Sequence, residues 1–259
     1  MRMMKKVLGT VTVLALSVSL LAGCGSTAAS PVSSAASTAA ESTTSSVVSE
    51  TTSAAADENV AAAAQLLNDL TGSYQELWPV ILADEYKQTW LDDCTALVGE
   101  ENAEAAFEKL SSMVTGDVYG EDAVEAYANG GGAYFCGFTN SLATLTFDGE
   151  TSTISGTDKD GNVLFSHTYH YIGMEPVHGL YEFESDDADS GEFTYFFLAP
   201  DTSAETYHIE FRYGSDADAL SQYDAGEYAY WVASGISTDC DQTMIDNCIE
   251  LFCTENLAG

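Results

Sequence analysis

His208 and Glu210 stand two positions apart in a segment, Tyr207–Tyr213, that alternates like a strand. Side chains on a strand alternate between faces, so residues 206, 208 and 210 share one face. An imidazole and a carboxylate on one face are ligands for a transition-metal ion. Zinc takes three or four N, S or O donors at about 2.0–2.3 Å. His178 or His170 would complete the shell, with water in an open position, and Glu205 or Glu175 is a further carboxylate within reach of a loop. His167 and His170 are three apart and point to opposite strand faces, so at most one of them joins His208. The bland reading is four histidines hydrogen-bonded locally.

The cysteines offer no zinc ribbon. There is no C-x-x-C among Cys24, Cys94, Cys136, Cys240, Cys248 and Cys253. Without Cys24, five remain, enough for two disulfides and one thiol, or for five buried thiols in a reducing habitat. Cys248 and Cys253 point in different directions on one helix and should not bridge each other. No G-x-S-x-G elbow is present, and carboxylate pairs are too numerous to mark a catalytic dyad. No enzyme activity is expected.

The elements that must position these residues fall in two blocks. From Ala61 to about Tyr127 the apolar spacing is helical, through Leu66, Leu70, Tyr74, Leu77 and Ile81, with breaks at Gly72 and Pro79. Further helices are predicted over Asp84–Leu97, Glu101–Met113 and Asp122–Ala128. After Asn129-Gly130-Gly131-Gly132 the period becomes two. Strands are predicted at Ala133–Phe138, Ser141–Phe147, Thr151–Gly156, Asn162–Ile172, Leu180–Glu184, Phe193–Leu198, Tyr207–Tyr213 and Tyr228–Val232. Short, evenly spaced strands predict an antiparallel barrel or half-barrel. A helical turn at Asp216–Asp224 and a last amphipathic helix at Asp239–Cys253 follow.

Seven Lys plus Arg oppose 41 Asp plus Glu, a formal net charge of −34. Such a surface repels phosphate backbones, which excludes nucleic acid as a partner, and it attracts cations. Three of the basic residues, Arg2, Lys5 and Lys6, precede an apolar run from Val7 to Leu21 that ends in Leu21-Ala22-Gly23-Cys24. This resembles a bacterial lipobox: residues 1–23 read as a lipoprotein signal peptide and Cys24 as the lipidated residue, anchoring the chain to the membrane. In residues 25–56, 25 of 32 are Ser, Thr or Ala, so residues 24–56 read as a disordered tether. The expected location is the outer face of a cell membrane, in a Gram-positive cell. Residues 57–259 form the expected folded domain.

Leu70-Thr71-Gly72-Ser73-Tyr74-Gln75-Glu76-Leu77-Trp78-Pro79-Val80-Ile81 resembles the opening of the ZinT (YodA) zinc- and cadmium-binding domain. Phe196-Phe197-Leu198-Ala199-Pro200 and His208-Ile209-Glu210-Phe211-Arg212-Tyr213-Gly214 resemble its metal-bearing strands, and Tyr228-Ala229-Tyr230 with the closing acidic helix resembles its end. The resemblance covers about residues 66–252. It implies a lipocalin-like (calycin) antiparallel β-barrel with a helical part, and zinc or cadmium held by histidines at the barrel mouth. It also implies a metal ABC importer as partner. The family places a histidine two residues before its Ala-Pro and a His-x-His on the next strand. Here the first is Phe197 or Phe196, and the second is His208-x-Glu210 or Thr206-x-His208. A metal-free calycin module, binding a small ligand or acting in adhesion, is the alternative, with Phe196 or Phe197 filling the old site.

Overall fold

The computed structural model describes residues 47–199 and 208–258, with side chains from Glu58 onward. The signal segment, Cys24 and most of the tether lie outside the described residues. The first helix, α1 (Val47–Asp69), begins ten residues ahead of the expected domain start and runs through Ala-rich sequence, the best helix former. No described helix is long and apolar enough to cross a membrane.

Eight strands form a closed antiparallel barrel in chain order, as the resemblance implied, with one helix before the first strand, most of the helices inserted between the first and second strands, and one helix after the last. They are β1 (Gly72–Glu76), β2 (Thr144–Asp148), β3 (Thr153–Thr157), β4 (Val163–Met174), β5 (Tyr181–Ser185), β6 (Tyr195–Leu198), β7 (His208–Gly214) and β8 (Ala233–Ser237). Closure is made by β1 pairing with β8, Tyr74 opposite Ser237 and Gln75 opposite Ile236. Neither closing strand was predicted. Residues 72–76 were expected inside a helical run, and the last strand was expected at 228–232. Residues 133–138 form no ladder; Phe135 makes isolated bridges to Thr115 and Trp231.

The barrel interior is filled. Phe147, Phe183, Phe196, Phe211, Tyr213 and Trp231 are all almost wholly buried in one cluster. Interior aromatics pack in sequence, Phe196 stacked on Tyr213 at 5.4 Å and Tyr213 edge-on to Trp231 at 4.9 Å. Side chains of this size complete a small barrel's core and leave no lumen.

A second core lies outside the barrel. It is built by α2 (Leu77–Ile81), α3 (Lys87–Val98), α4 (Glu100–Val114) and α7 (Gln242–Leu257). Trp90 is its centre, fully buried, its indole N–H donating to the Ile81 carbonyl at 2.7 Å. Phe107 and Phe252 pack on Trp90 at 5.7 and 6.0 Å. Two short helices complete the fold: α5 (Glu121–Ala128), and α6 (Ala217–Leu220), which is capped by the Asp216 side chain.

Candidate functional site

Strand β7 is buried along both faces, because each face has its own cover. Ile209, Phe211 and Tyr213 join the barrel interior. The opposite face carries His208, Glu210 and Arg212. Across to β8, His208 stands opposite Ile236 and Glu210 opposite Ser234, and Ile236 belongs to the helical core. His208 and Glu210 therefore do share a face, but it is the outer face of the barrel wall, turned toward the helices. This corrects the expected position at an interior barrel mouth. The reason is the register: the large aromatics of the same strand claim the inside.

Between this wall and the helical layer lies a cavity of about 520 Å³. His208 and Glu210 line it with Ser234 and Cys136. Trp78, Tyr127, Tyr134, Tyr223 and Phe252 supply aromatic walls, and Glu255 and Asn256 come from the end of α7. His178 lines the same cavity from the loop joining β4 to β5. Three of the four predicted donors thus meet one cavity.

The His178 loop is held by a fully buried carboxylate. Glu175 accepts from the backbone N–H of Val177 at 2.9 Å and of His178 at 2.6 Å. The His178 Nδ1 sits 3.6 Å from Glu175 Oε2, buried and without a hydrogen-bond partner. Its ring packs 3.8 Å from the ring of Tyr223. Tyr223 is in turn covered by the Arg212 guanidinium, 4.2 Å from the ring centre, a cation–π contact. Arg212 is fully buried and donates to the carbonyls of Leu220, Gln222 and Tyr228. Burial pulls its pKa below the ordinary value, partly offset by Tyr223, Tyr134 and Glu175. The one arginine of the folded part therefore clamps the segment that carries Tyr223 onto the barrel wall.

Two thiols feel the same environment. Burial first, and the Glu210 charge second, push Cys136 and Cys248 each up to about 12. Both are protonated at neutral pH, so neither presents a ready thiolate. Burial likewise pushes the Tyr223 hydroxyl up.

His170 is placed elsewhere. It sits on the exposed outer face of β4, Nδ1 2.7 Å from Asp186 Oδ1, and does not line the cavity. His167 pairs with Asp187 at 2.7 Å at the barrel end. Among the described residues, no three His, Cys, Asp or Glu side chains converge as a metal cage. The cavity wall offers His178, His208 and Glu210 as separate donors, which does not fit a bare ion held wholly by protein ligands. Trp78, Tyr223 and Glu255 were not predicted as site residues. Trp78 and Tyr223 read as ordinary aromatics, and nothing local distinguishes Glu255 from the other acidic residues.

No family model matches the chain, and no curated protein matches it in sequence. Solved structures do resemble it. The zinc-bound ZinT-like domain of Streptococcus pneumoniae AdcA is similar at a TM-score of 0.44 and 15% identity, over 70% of this chain and 87% of that one. Zinc-bound AdcA from the same organism is similar at a TM-score of 0.41 and 13% identity, over 71% of this chain and 34% of that one.

Proposed function

We propose that the protein captures a divalent transition-metal cargo, zinc first and cadmium second, in the cavity between barrel wall and helices. The observation that carries this reading is that His178, His208 and Glu210 line one cavity. Imidazole nitrogens and a carboxylate suit zinc, and His178 Nδ1 is a buried ring nitrogen with no hydrogen-bond partner. A net charge of −34 raises the local cation concentration and speeds capture. Binding and release suffice, with no catalytic step. Lipid on Cys24 would hold the domain at the outer membrane face, and a metal importer would receive the cargo.

Zinc titration of the full-length chain by calorimetry tests this, with His208→Ala and His178→Ala alongside. One-to-one binding weakened at least tenfold in both variants supports the reading. Weak binding at many sites, unchanged in either variant, overturns it and leaves only a diffuse acidic surface. Radiolabelled palmitate incorporation, lost in Cys24→Ala, tests the anchor.

A second reading is favoured by the size and walls of the cavity. About 520 Å³ lined by five aromatic rings is the scale of a small-molecule pocket. A small organic ligand would bind here, not inside the barrel, whose interior is filled.

A further inference from the structure

We infer that the cavity takes a small organic cation, an ammonium group carrying a flat apolar body, with Glu210 on the barrel wall as its counter-charge. The inference rests on the small-molecule reading above and deepens it by giving the ligand a charge and a shape.

Size admits such a molecule. A cavity of about 520 Å³ lies inside the range of about 300–1,000 Å³ usual for small-molecule pockets. The walls suit an apolar body. Trp78 from α2 meets Phe252 from α7 edge-on at 4.7 Å, and Tyr127 meets Tyr134 edge-on at 6.1 Å. All four rings line the cavity. Edge-to-face contacts of this kind are favourable in themselves, so the rings hold their places without a ligand.

Charge decides the head group. Glu210 lines the cavity from β7 and Glu255 from the end of α7, and no Lys or Arg is among the lining residues. Basic side chains are scarce: after Lys6 the sequence holds only Lys87, Lys109, Lys159 and Arg212. Lys87 pairs with Glu104 at 3.0 Å. Arg212 covers the Tyr223 ring, donates to backbone carbonyls, and feels the buried charge of Glu175. The Glu210 charge does reach the cavity lining. It is the second cause, after burial, of the raised Cys136 pKa, and Cys136 is a lining residue.

Any ligand that fills the cavity displaces water from the Glu210 carboxylate. Removing a charge from water is costly unless an opposite charge takes the water's place. A neutral ligand leaves that cost standing, and an anion adds repulsion. An ammonium offsets it with a charge-assisted hydrogen bond, while its apolar body packs on the rings.

The test is calorimetric titration of the full-length chain, with a chelator present to remove metal, using three probes that share one ring and differ in head group. Phenethylamine is cationic, 2-phenylethanol neutral and 3-phenylpropionate anionic. Phenethylamine is expected to bind one-to-one, about tenfold or more tighter than 2-phenylethanol, with 3-phenylpropionate the weakest. Glu210→Gln is expected to remove most of the amine's advantage and to leave the alcohol's affinity unchanged, which also shows that the variant is folded. Glu184→Gln changes a carboxylate on β5 that does not line the cavity, and it is expected to alter neither affinity. Equal binding of amine and alcohol overturns the inference and leaves the small-molecule reading standing. An amine advantage that survives Glu210→Gln, or that falls equally in Glu184→Gln, overturns it in favour of a diffuse acidic surface. Binding of none of the three removes the inference together with the small-molecule reading.

Discussion

The sulfurs of Cys94 and Cys253 lie 4.0 Å apart, buried in the seam between α3 and α7. Burial raises both thiol pKa values, so both are protonated at neutral pH. We expect oxidised glutathione to join them. The pair gives up two protons and two electrons, and glutathione leaves as two thiols. Thiolate is the attacking species, so the reaction should accelerate as pH rises. Peptide mapping without reduction should find a Cys94–Cys253 link, absent in Cys94→Ser. A link through Cys248 or Cys240 instead would contradict this packing.

The same seam holds an unfavourable charge. Asp93 is half-buried, and its Oδ2 has no hydrogen-bond partner. Burial, then Glu250, Asp246 and Asp92, raise its pKa above the usual carboxylate range. The folded state thus holds this proton more tightly than the unfolded chain, and stability falls as pH rises through the raised pKa. Asp93→Asn should stabilise the fold at pH 7 by up to about 1 kcal/mol. The gain should vanish in acid, where Asp93 is protonated in both states. Urea unfolding at pH 7 and about pH 2, well below the ordinary Asp pKa, reads the difference, and an equal gain at both would count against the charge as its cause.

Arg212 is the clamp of the cavity wall. Arg212→Met leaves the carbonyls of Leu220, Gln222 and Tyr228 without their donor. Removing one partner of a buried charged network costs about 3–5 kcal/mol. Lysine should not rescue it, because it lacks the planar fork. Urea unfolding measures the loss. Zinc affinity should fall with it, because Tyr223 loses its cover.

The hairpin between β2 and β3 presses on the first helix. A Cβ on Gly149 would come within 2.4 Å of Asn68 Cα, and the Gly149 N–H donates to Thr71 Oγ1 at 3.1 Å. Gly149→Ala should cost about 1–3 kcal/mol, the usual cost of overpacking. A thermal melt checks it. An unchanged melting temperature would mean that α1 does not dock there.

Much of the barrel was legible, but the strands that close it were not. Leu70, Tyr74, Leu77 and Ile81 keep helical spacing although Tyr74 lies in a strand. Its neighbours in the count sit one residue past the end of α1 (Leu70) and in α2 (Leu77 and Ile81), so the period runs on across the change of structure. Strand β8, Ala-Ser-Gly-Ile-Ser, is buried on both faces and shows no alternation. The alternating Tyr228, Tyr230 and Val232 upstream imitates a strand, whereas Tyr230 adopts a left-handed backbone with φ of 56°.

For the site, alternation placed His208 and Glu210 on one face correctly. It could not say which side of the wall that face met, because β7 carries large buried residues on both. His178 was named from its type alone. Its meeting with His208 depends on the Glu175 loop, a tertiary arrangement with no local signature. His170 failed as a cavity residue because its side of β4 faces solvent.

The pairing of β1 with β8 joins residues 72–76 to residues 233–237. A chain that emerges amino end first must keep β1 waiting, unpaired on one edge, until almost the whole polypeptide is out. Seven strands without the eighth would expose two open edges, the form in which strands recruit other copies. A truncation before Ala233 should thus do more than remove a helix and a strand. It should turn a sealed cylinder into a sheet with sticky margins, and the pool of unfinished chains into the one most prone to aggregate.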